Sequence, residues 1–352
     1  MTKPRKIRVM VVEDSAVIRE LLCHIIAEHP QLEVAASVGS GEEALRILEK
    51  ISPDIISMDI RLPGIDGFET TCRIMSRKPT PIVVVSESIE SEDLKISMNA
   101  LRAGALAVVE KPVGVTHSDY AAIAGRLCTQ LVIMSSVRLV RQRFTPPIVS
   151  RPFPSAPITA DTYSLLAVVA STGGPNALTT LFRGLGRDFP LPILLVQHIT
   201  ASFLGDFVSW LDGLGPLKTV VARDGELPQP GVVHVAPAER HLVLKAGRLR
   251  LEDGPPISLQ RPSGTALFES LASERGHQAL GLLLTGMGDD GAQGLLKLRN
   301  AGGYTLAESE STAVVYGMPG AAAKLGAVCE QLPLGELAPR ILELLSFKTT
   351  PL

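Results

Sequence analysis

From Ile7 onward the chain alternates short apolar runs with longer segments whose apolar residues recur every three or four positions. The runs IRVMVVED, LEVAASV, DIISMD, PIVVVS and ALAVVEK predict five strands, and their regular alternation with helical segments is the pattern of a parallel sheet wrapped by helices. Between the first two runs, SAVIRELLCHIIAEHP sets Val17, Ile18, Leu21, Leu22, Ile25 and Ile26 at helical spacing, with Ser15 as N-cap and Pro30 beyond the end. These elements predict a doubly wound α/β domain over residues 6–125.

The alternation then fades. RLVRQRFTPPIVSRPFPSAPITAD carries five prolines and the basic residues Arg138, Arg141, Arg143 and Arg151, too little apolar surface to bury a core, so residues 126–160 read as a linker. A second alternation follows over residues 161–348: LLAVVAS, PILLVQH, KTVVA, VVHVAP, HLVLKA, RLRLED, ALGLLLTGMGDDG and GYTLAES. It predicts another doubly wound, mostly parallel α/β domain with a hairpin-like insertion around Gly247. There is no internal repeat or low-complexity tract.

Composition narrows the class without deciding it. The 352 residues exceed one ordinary core, and 45% apolar against 20% charged is globular, with a core that is mostly aliphatic because aromatics are only 4%. A net charge of −2 offers no basic footprint for nucleic acid or an anionic membrane. Cys23, Cys72, Cys128 and Cys329 are scattered, without zinc spacing, and read as reduced cytosolic thiols. The apolar run near the N-terminus is broken by Arg8 and too short for a signal sequence, and no stretch nears the roughly 18 apolar residues of a membrane span. A cytoplasmic protein without direct membrane insertion is the expectation.

In an open parallel sheet, function gathers at the carboxyl ends of the strands. In the first half those ends carry Glu13 and Asp14, Asp59, Ser86, and Glu110 with Lys111. Acids this close repel unless a hard divalent cation sits among them, and Mg²⁺ prefers carboxylate, water and phosphate oxygen. One carboxylate is then free to attack a phosphoryl group, with Lys111 and the metal stabilising the developing charge. Taken singly, each acid could equally be a helix N-cap.

The second half ends its strands in Ser171, His198 and Asp289 or Asp290. A hydroxyl, an imidazole and a carboxylate in one crevice are the parts of activated-serine catalysis. Gly173 and Gly174 permit a tight turn into a helix whose N-terminus favours developing negative charge, and TGMGDDG makes the main chain of Met287 a candidate oxyanion donor. An ordinary phosphate-binding turn at S-T-G-G, a satisfied core histidine and a capping aspartate are the competing readings, although no G-x-G-x-x-G follows the strand. His234, within VVHVAP, reads as packing.

VVEDSAVIR, SMDIRLPGIDG, VVVS and EKP resemble a response-regulator receiver domain, whose fold is flavodoxin-like. The resemblance implies Asp59 as phospho-acceptor, Glu13 and Asp14 as holders of Mg²⁺ together with Asp59, Ser86 as the switch hydroxyl and Lys111 at the phosphoryl group. VVASTGGPNAL, LLVQH, HVAP, DGPP, RPS, LLTGMGDDG and VVYGMP are similar, in order, to the chemotaxis protein-glutamate methylesterase family, CheB. That resemblance implies hydrolysis of glutamate γ-methyl esters on chemoreceptors, often with glutamine deamidation, Ser171 as nucleophile, His198 as base and Asp290 as its partner. Asp289 falls on the variable place of the motif. A sensor histidine kinase is the implied phosphodonor, and no cofactor is implied for the esterase.

The chain departs from both patterns. Val108 stands where receivers carry an aromatic residue, which puts an aromatic relay in doubt. Ile199, Thr200 and Ala201 replace a methionine and prolines, Gln260 replaces a frequent histidine, and Gly264 and Thr265 follow R-P-S where an acid is usual. These changes are expected to touch the substrate rim rather than the three candidate catalytic residues. Two other classes stand beside the enzyme: a degenerate regulator that only binds receptor or kinase, and a regulator with a DNA-binding output, which would need a basic helical module.

Overall fold

In the computed structural model, which describes residues 5–86, 104–112, 120–137 and 163–346, the chain divides into two units, Met1–Phe144 and Thr145–Leu352. The first unit has β1 (Ile7–Val12), β2 (Leu32–Val38), β3 (Ile55–Asp59), β4 (Ile82–Ser86) and β5 (Ala107–Glu110), all parallel in the order β2-β1-β3-β4-β5. Helices α1 (Ala16–Glu28), α2 (Gly41–Ile51), α3 (Gly67–Arg77) and α4 (Tyr120–Ser135) accompany them. Ser15 caps α1 by accepting the Ile18 N–H, and β3 and β4 are buried along their whole lengths.

Helix α4 corrects the expected boundary at residue 125. It runs on to Ser135 because Ile123, Leu127, Leu131 and Met134 recur at helical spacing and are buried. Residues 126–135 are therefore helix rather than linker, while 138–160 lie outside the described residues.

The second unit begins with β6 (Leu165–Ala170), α5 (Gly174–Leu185), β7 (Ile193–Gln197), α6 (Ala201–Leu214), β8 (Lys218–Val221) and β9 (Val232–Val235). An antiparallel hairpin of β10 (His241–Lys245) and β11 (Arg248–Glu252) follows, turning through Ala246 and Gly247, both at positive φ as a two-residue turn of this kind requires. Then come α7 (Gly264–Glu274), β12 (Ala279–Leu283), α8 (Ala292–Asn300), β13 (Tyr304–Glu308), α9 (Met318–Lys324), β14 (Glu330–Leu332) and α10 (Leu334–Ser346). Strand β14 was not anticipated: it is a three-residue edge strand with no fully buried side chain, so it lacks the apolar run that marks the others.

The seven-stranded sheet runs β14-β13-β12-β6-β7-β9-β8, every neighbouring pair parallel. Chain growth from β6 proceeds first to β7 and later, on the other side, to β12. The carboxyl end of β6 is thus a topological switch point, where loops on either side leave in opposite directions and open a crevice.

Helices α7 and α8 close one face of this sheet. Gly281 in β12 leaves room for them, since a Cβ there would sit 2.8 Å from Leu295 and from Leu298. Phe268 of α7 is fully buried in the same cluster. Phe268→Ala should cost about 3–5 kcal/mol of stability in the second unit, read as a lowered urea midpoint; a change under about 1 kcal/mol would contradict this packing.

Candidate functional site

Two groups of polar residues occupy strand ends, one in each unit. In the first, β1 delivers Glu13 and Asp14, β3 delivers Asp59, β4 Ser86 and β5 Lys111, around a cavity of about 200 Å³. Glu13, Asp59, Ser86 and Lys111 are buried, whereas Asp14 is exposed. Lys111 Nζ lies 3.0 Å from Glu13 Oε2 and 3.1 Å from Asp59 Oδ2. Ile60 N–H donates to Asp59 Oδ1 at 2.7 Å, which fixes the carboxylate. Val108 lies on β5, half-buried and paired with Val84.

The Lys111 ammonium does not hold these acids at their ordinary values. Burial, then the charge of Asp59, pushes Glu13 up to about 7, and burial above all raises Asp59. Burial works against the Lys111 ammonium, but the carboxylates of Asp59 and Glu13 outweigh it and raise its pKa. Carboxylate oxygens of Glu13, Asp14 and Asp59 lie within 4.8 Å of one another, and Glu13 Oε2 and Asp59 Oδ2 are buried without a well-directed hydrogen bond. Such a donor set fits a small, hard divalent cation.

In the second unit, pairing of Ala170 with Gln197 puts Ser171 and His198 side by side, one step beyond the last rung of β6 and β7. His198 N–H donates to Ala170 O at 3.0 Å. The Gln197 amide, buried beneath them, donates to Ser171 O at 2.9 Å and His198 O at 3.1 Å. Gly174 must lack a side chain here, since a Cβ would lie 2.1 Å from Gln197 Oε1. Gly286, after β12, passes so close that a Cβ would sit 2.8 Å from Ser171 Cβ, and this brings Met287 to the same edge. Ser171 N–H donates to Thr285 O at 3.0 Å. Thr285 N–H in turn donates to the buried carboxylate of Glu308, whose pKa burial raises.

The structure joins His198 to Asp290, Nε2 to Oδ2 at 2.9 Å. His198 Nδ1 is buried and hydrogen-bonded to nothing among the described residues, and Ser171 Oγ makes no hydrogen bond to the ring. Asp290 is buried while Asp289 is exposed, so burial separates the two acids that strand-end reasoning left open. His234 is buried and bonded on both nitrogens, to Glu226 and to the Gln229 N–H, which makes it a loop clamp away from this group.

The sequence reading missed what surrounds Asp290. Ser263 Oγ donates to Oδ1 at 2.6 Å, Thr265 N–H to Oδ1 at 3.1 Å and Gly264 N–H to Oδ2 at 2.6 Å. Burial works against the charge, but the bonds from His198, Ser263 and Gly264 outweigh it and hold the carboxyl below its ordinary value. Thr265 Oγ1 also accepts the Gly291 N–H at 2.8 Å. Gly264 and Thr265, like Ser263 before them, are therefore buried behind Asp290 rather than on a substrate rim, the reverse of the expectation for the two residues after R-P-S. The available signal was Ser263 as the N-cap of a helix beginning at Gly264, a role it does fill.

Two outcomes follow from these environments. Asp290→Asn turns an acceptor for four donors into a group that itself donates, and should lower the stability of the second unit by about 3 kcal/mol in urea unfolding; an unchanged midpoint would show that the four bonds contribute nothing. The Glu13 value lies above its ordinary 4.5, so the folded first unit binds the extra proton, and the stability this gives below pH 4.5 is lost as pH rises to about 7. With chelator present, the first unit's urea midpoint should fall across that window and Glu13→Gln should flatten the slope; a midpoint that rises there for both proteins refutes the assignment.

Comparison with known proteins agrees with this division. The family model described as CheB methylesterase matches residues 166–341, and that described as response regulator receiver domain matches residues 9–118. A protein of Paramagnetospirillum magneticum named protein-glutamate methylesterase/protein-glutamine glutaminase 2 is 53% identical over 350 residues, covering 97% of this chain and 98% of its own. One of Anaeromyxobacter dehalogenans, bearing the same name with the number 3, is 44% identical over 95% of this chain and 98% of its own. Among solved structures, the CheB methylesterase catalytic domain of Thermotoga maritima is similar at a TM-score of 0.50 and 33% identity, over 52% of this chain and 99% of that one. With relatives aligned along nearly its whole length and a family model seated on each sheet, the chain belongs to the CheB methylesterase family and carries a response regulator receiver domain ahead of the methylesterase domain.

Proposed function

We propose that this chain hydrolyses glutamate γ-methyl esters on chemoreceptors, with Ser171 as nucleophile, His198 as base and Asp290 as its anionic partner, and that phosphorylation of Asp59 sets the rate. The carrying observation is His198, held at Nε2 by a buried carboxylate 2.9 Å away and bare at Nδ1, on the strand end beside Ser171. Nδ1 is then the nitrogen that takes the Ser171 proton as Oγ attacks the ester carbonyl. The resulting imidazolium faces Asp290, which stays ionised under its four donors. The oxyanion forms beside the glycine-lined turn after β12, where the Met287 N–H, bonded to nothing among the described residues, is the donor. His198 returns the proton to the departing methoxide, methanol leaves, and water resolves the acyl-enzyme to free a glutamate. A glutamine side chain in the same place would lose ammonia, the second activity in the relatives' names.

In the receiver domain, Glu13, Asp14 and Asp59 would hold Mg²⁺, which supplies charge neutralisation for the incoming phosphoryl group. Asp59 is the acceptor from a sensor histidine kinase, Lys111 pairs with the phosphoryl oxygens and Ser86 is the switch hydroxyl. Phosphorylation then shifts the population toward an active esterase. No helix among the described residues is long and apolar enough to cross a membrane; we place the protein in the cytoplasm, where receptor tails and kinase are met.

Methanol release from methylated receptor membranes tests both parts. Ser171→Ala should lower the rate about a thousandfold or more; full retained activity would refute Ser171 as the nucleophile, and no release by the unaltered protein would leave only the binding-protein reading. A small phosphodonor should accelerate the unaltered protein and leave Asp59→Ala unmoved; equal response of the two removes the phosphorylation gate.

A further inference from the structure

Given a hydrolytic centre at Ser171, His198 and Asp290, we infer that Ser263 is a positioning residue for it: its hydroxyl holds Asp290 as the anion facing His198, and His241 fixes Ser263 from behind.

The direction of each bond is set by what the partners can do. Ser263 is fully buried, and its Oγ receives the N–H groups of Thr265 at 3.1 Å and Ala266 at 3.4 Å. With its lone pairs so used, its single proton goes to Asp290 Oδ1, at the 2.6 Å of a charge-assisted O–H···O⁻ bond. The Ser263 hydroxyl and the Gly264 and Thr265 N–H groups thus present Asp290 with three fixed donors, which favour its charged form. The carboxylate in turn requires a proton on His198 Nε2, which leaves Nδ1 as the base.

Behind Ser263 lies His241, buried at the start of β10. Ser263 N–H donates to its Nδ1 at 3.2 Å, and its Nε2 faces Pro255 O at 3.0 Å. A backbone N–H can only donate and a carbonyl can only accept, so His241 is neutral with its proton on Nε2. Gly254 closes over the ring, since a Cβ there would lie 3.2 Å from His241 Cδ2. The neighbouring cation, Arg261, is turned away to Gly254 O and Glu239. A series of hydrogen bonds therefore links Pro255, His241, Ser263, Asp290 and His198, with Ser263 donating to both sides, and it gives the β10–β11 hairpin a part in the proposed esterase centre.

An N-cap alone would not need this hydroxyl proton, which separates the two roles. Ser263→Gly keeps the cap to within a few tenths of a kcal/mol but deletes the donor; Ser263→Thr keeps both. Steady-state methanol release should give Ser263→Gly a kcat ten- to a hundredfold below the unaltered protein with KM within twofold, and Ser263→Thr should recover most of it. Without the Ser263 proton, Asp290 is a less stabilised anion that binds imidazolium more tightly. The acid limb of kcat/KM, which reports neutral His198, should then move up by roughly one pH unit.

Nitrogen-15 spectra of histidine-labelled, unaltered protein should show His241 bare at Nδ1 and protonated at Nε2 throughout the active range. A Ser263→Gly enzyme with kcat within twofold and an unmoved limb overturns the inference, as does His241 protonated at Nδ1; should Ser263→Gly not fold, the spectra decide. Ser171→Ala run alongside keeps the two readings apart, because its full activity would refute the serine-hydrolase centre whatever Ser263 does.

Discussion

The second unit is organised around the burial of one negative charge. Asp290 lies 2% exposed with no lysine or arginine among the described residues bonded to it, and moving a carboxylate out of water costs several kcal/mol even after relaxation. The fold offsets that cost with four hydrogen bonds, three of them from Ser263, Gly264 and Thr265 at the N-terminus of α7, where unpaired N–H groups and the helix dipole both favour an anion. The fourth comes from His198. Since the donors belong to the loop after β7 and the entry to α7, while the acid itself follows β12, satisfying one charge ties together three segments far apart in sequence. The crevice at the end of β6 inherits its geometry from that requirement.

The first unit applies the same strand-end rule with the opposite electrostatic outcome. Lys111 pairs with two buried carboxylates while Asp14 stands exposed beside them, and Glu13 and Asp59 are both raised by burial rather than lowered by donors. Unbalanced acidity of this kind is relieved by a cation or by a proton, and it leaves room for a phosphoryl group that arrives with its own counter-charge. Asp290 has no such need. One cluster is thus open to an added ion and the other is closed on itself, a difference that suits the first to the phosphoryl chemistry and the second to the acyl chemistry proposed for them.

How much of this was legible in the sequence follows from how far each contact reaches. Strand ends are local: a buried run stopping at Asp59, Ser171 or His198 announces itself, and the parallel topology then gathers those ends without further information. Ser263, Thr265 and His241 were invisible because they act through α7 and a hairpin inserted between strands, and no period or spacing in the chain connects residue 241 to 263 or 263 to 290. Gln197 stands out in the sequence only as part of the LLVQH motif, since its amide bonds backbone rather than side chains. The end of α4 and the strand β14 failed for ordinary reasons, an apolar helix face running on beneath a polar tail and an edge strand too short to show a pattern.

Hydrogen bonds leave little of the proposed esterase centre unfixed. The backbone of Ser171 is held three times, by its own N–H on Thr285 O and by Gly174 N–H and the Gln197 amide on its carbonyl. The His198 ring is held at Nε2. Ser171 Oγ and His198 Nδ1 share no hydrogen bond, so these bonds leave the Ser171 hydroxyl itself unfixed. Rotamer changes of partly exposed side chains take picoseconds to nanoseconds, whereas turnover at an ordinary kcat takes on the order of milliseconds to a second. Reorienting that hydroxyl is fast on this scale, and the fold has placed its preorganisation in the parts that could not be assembled on demand.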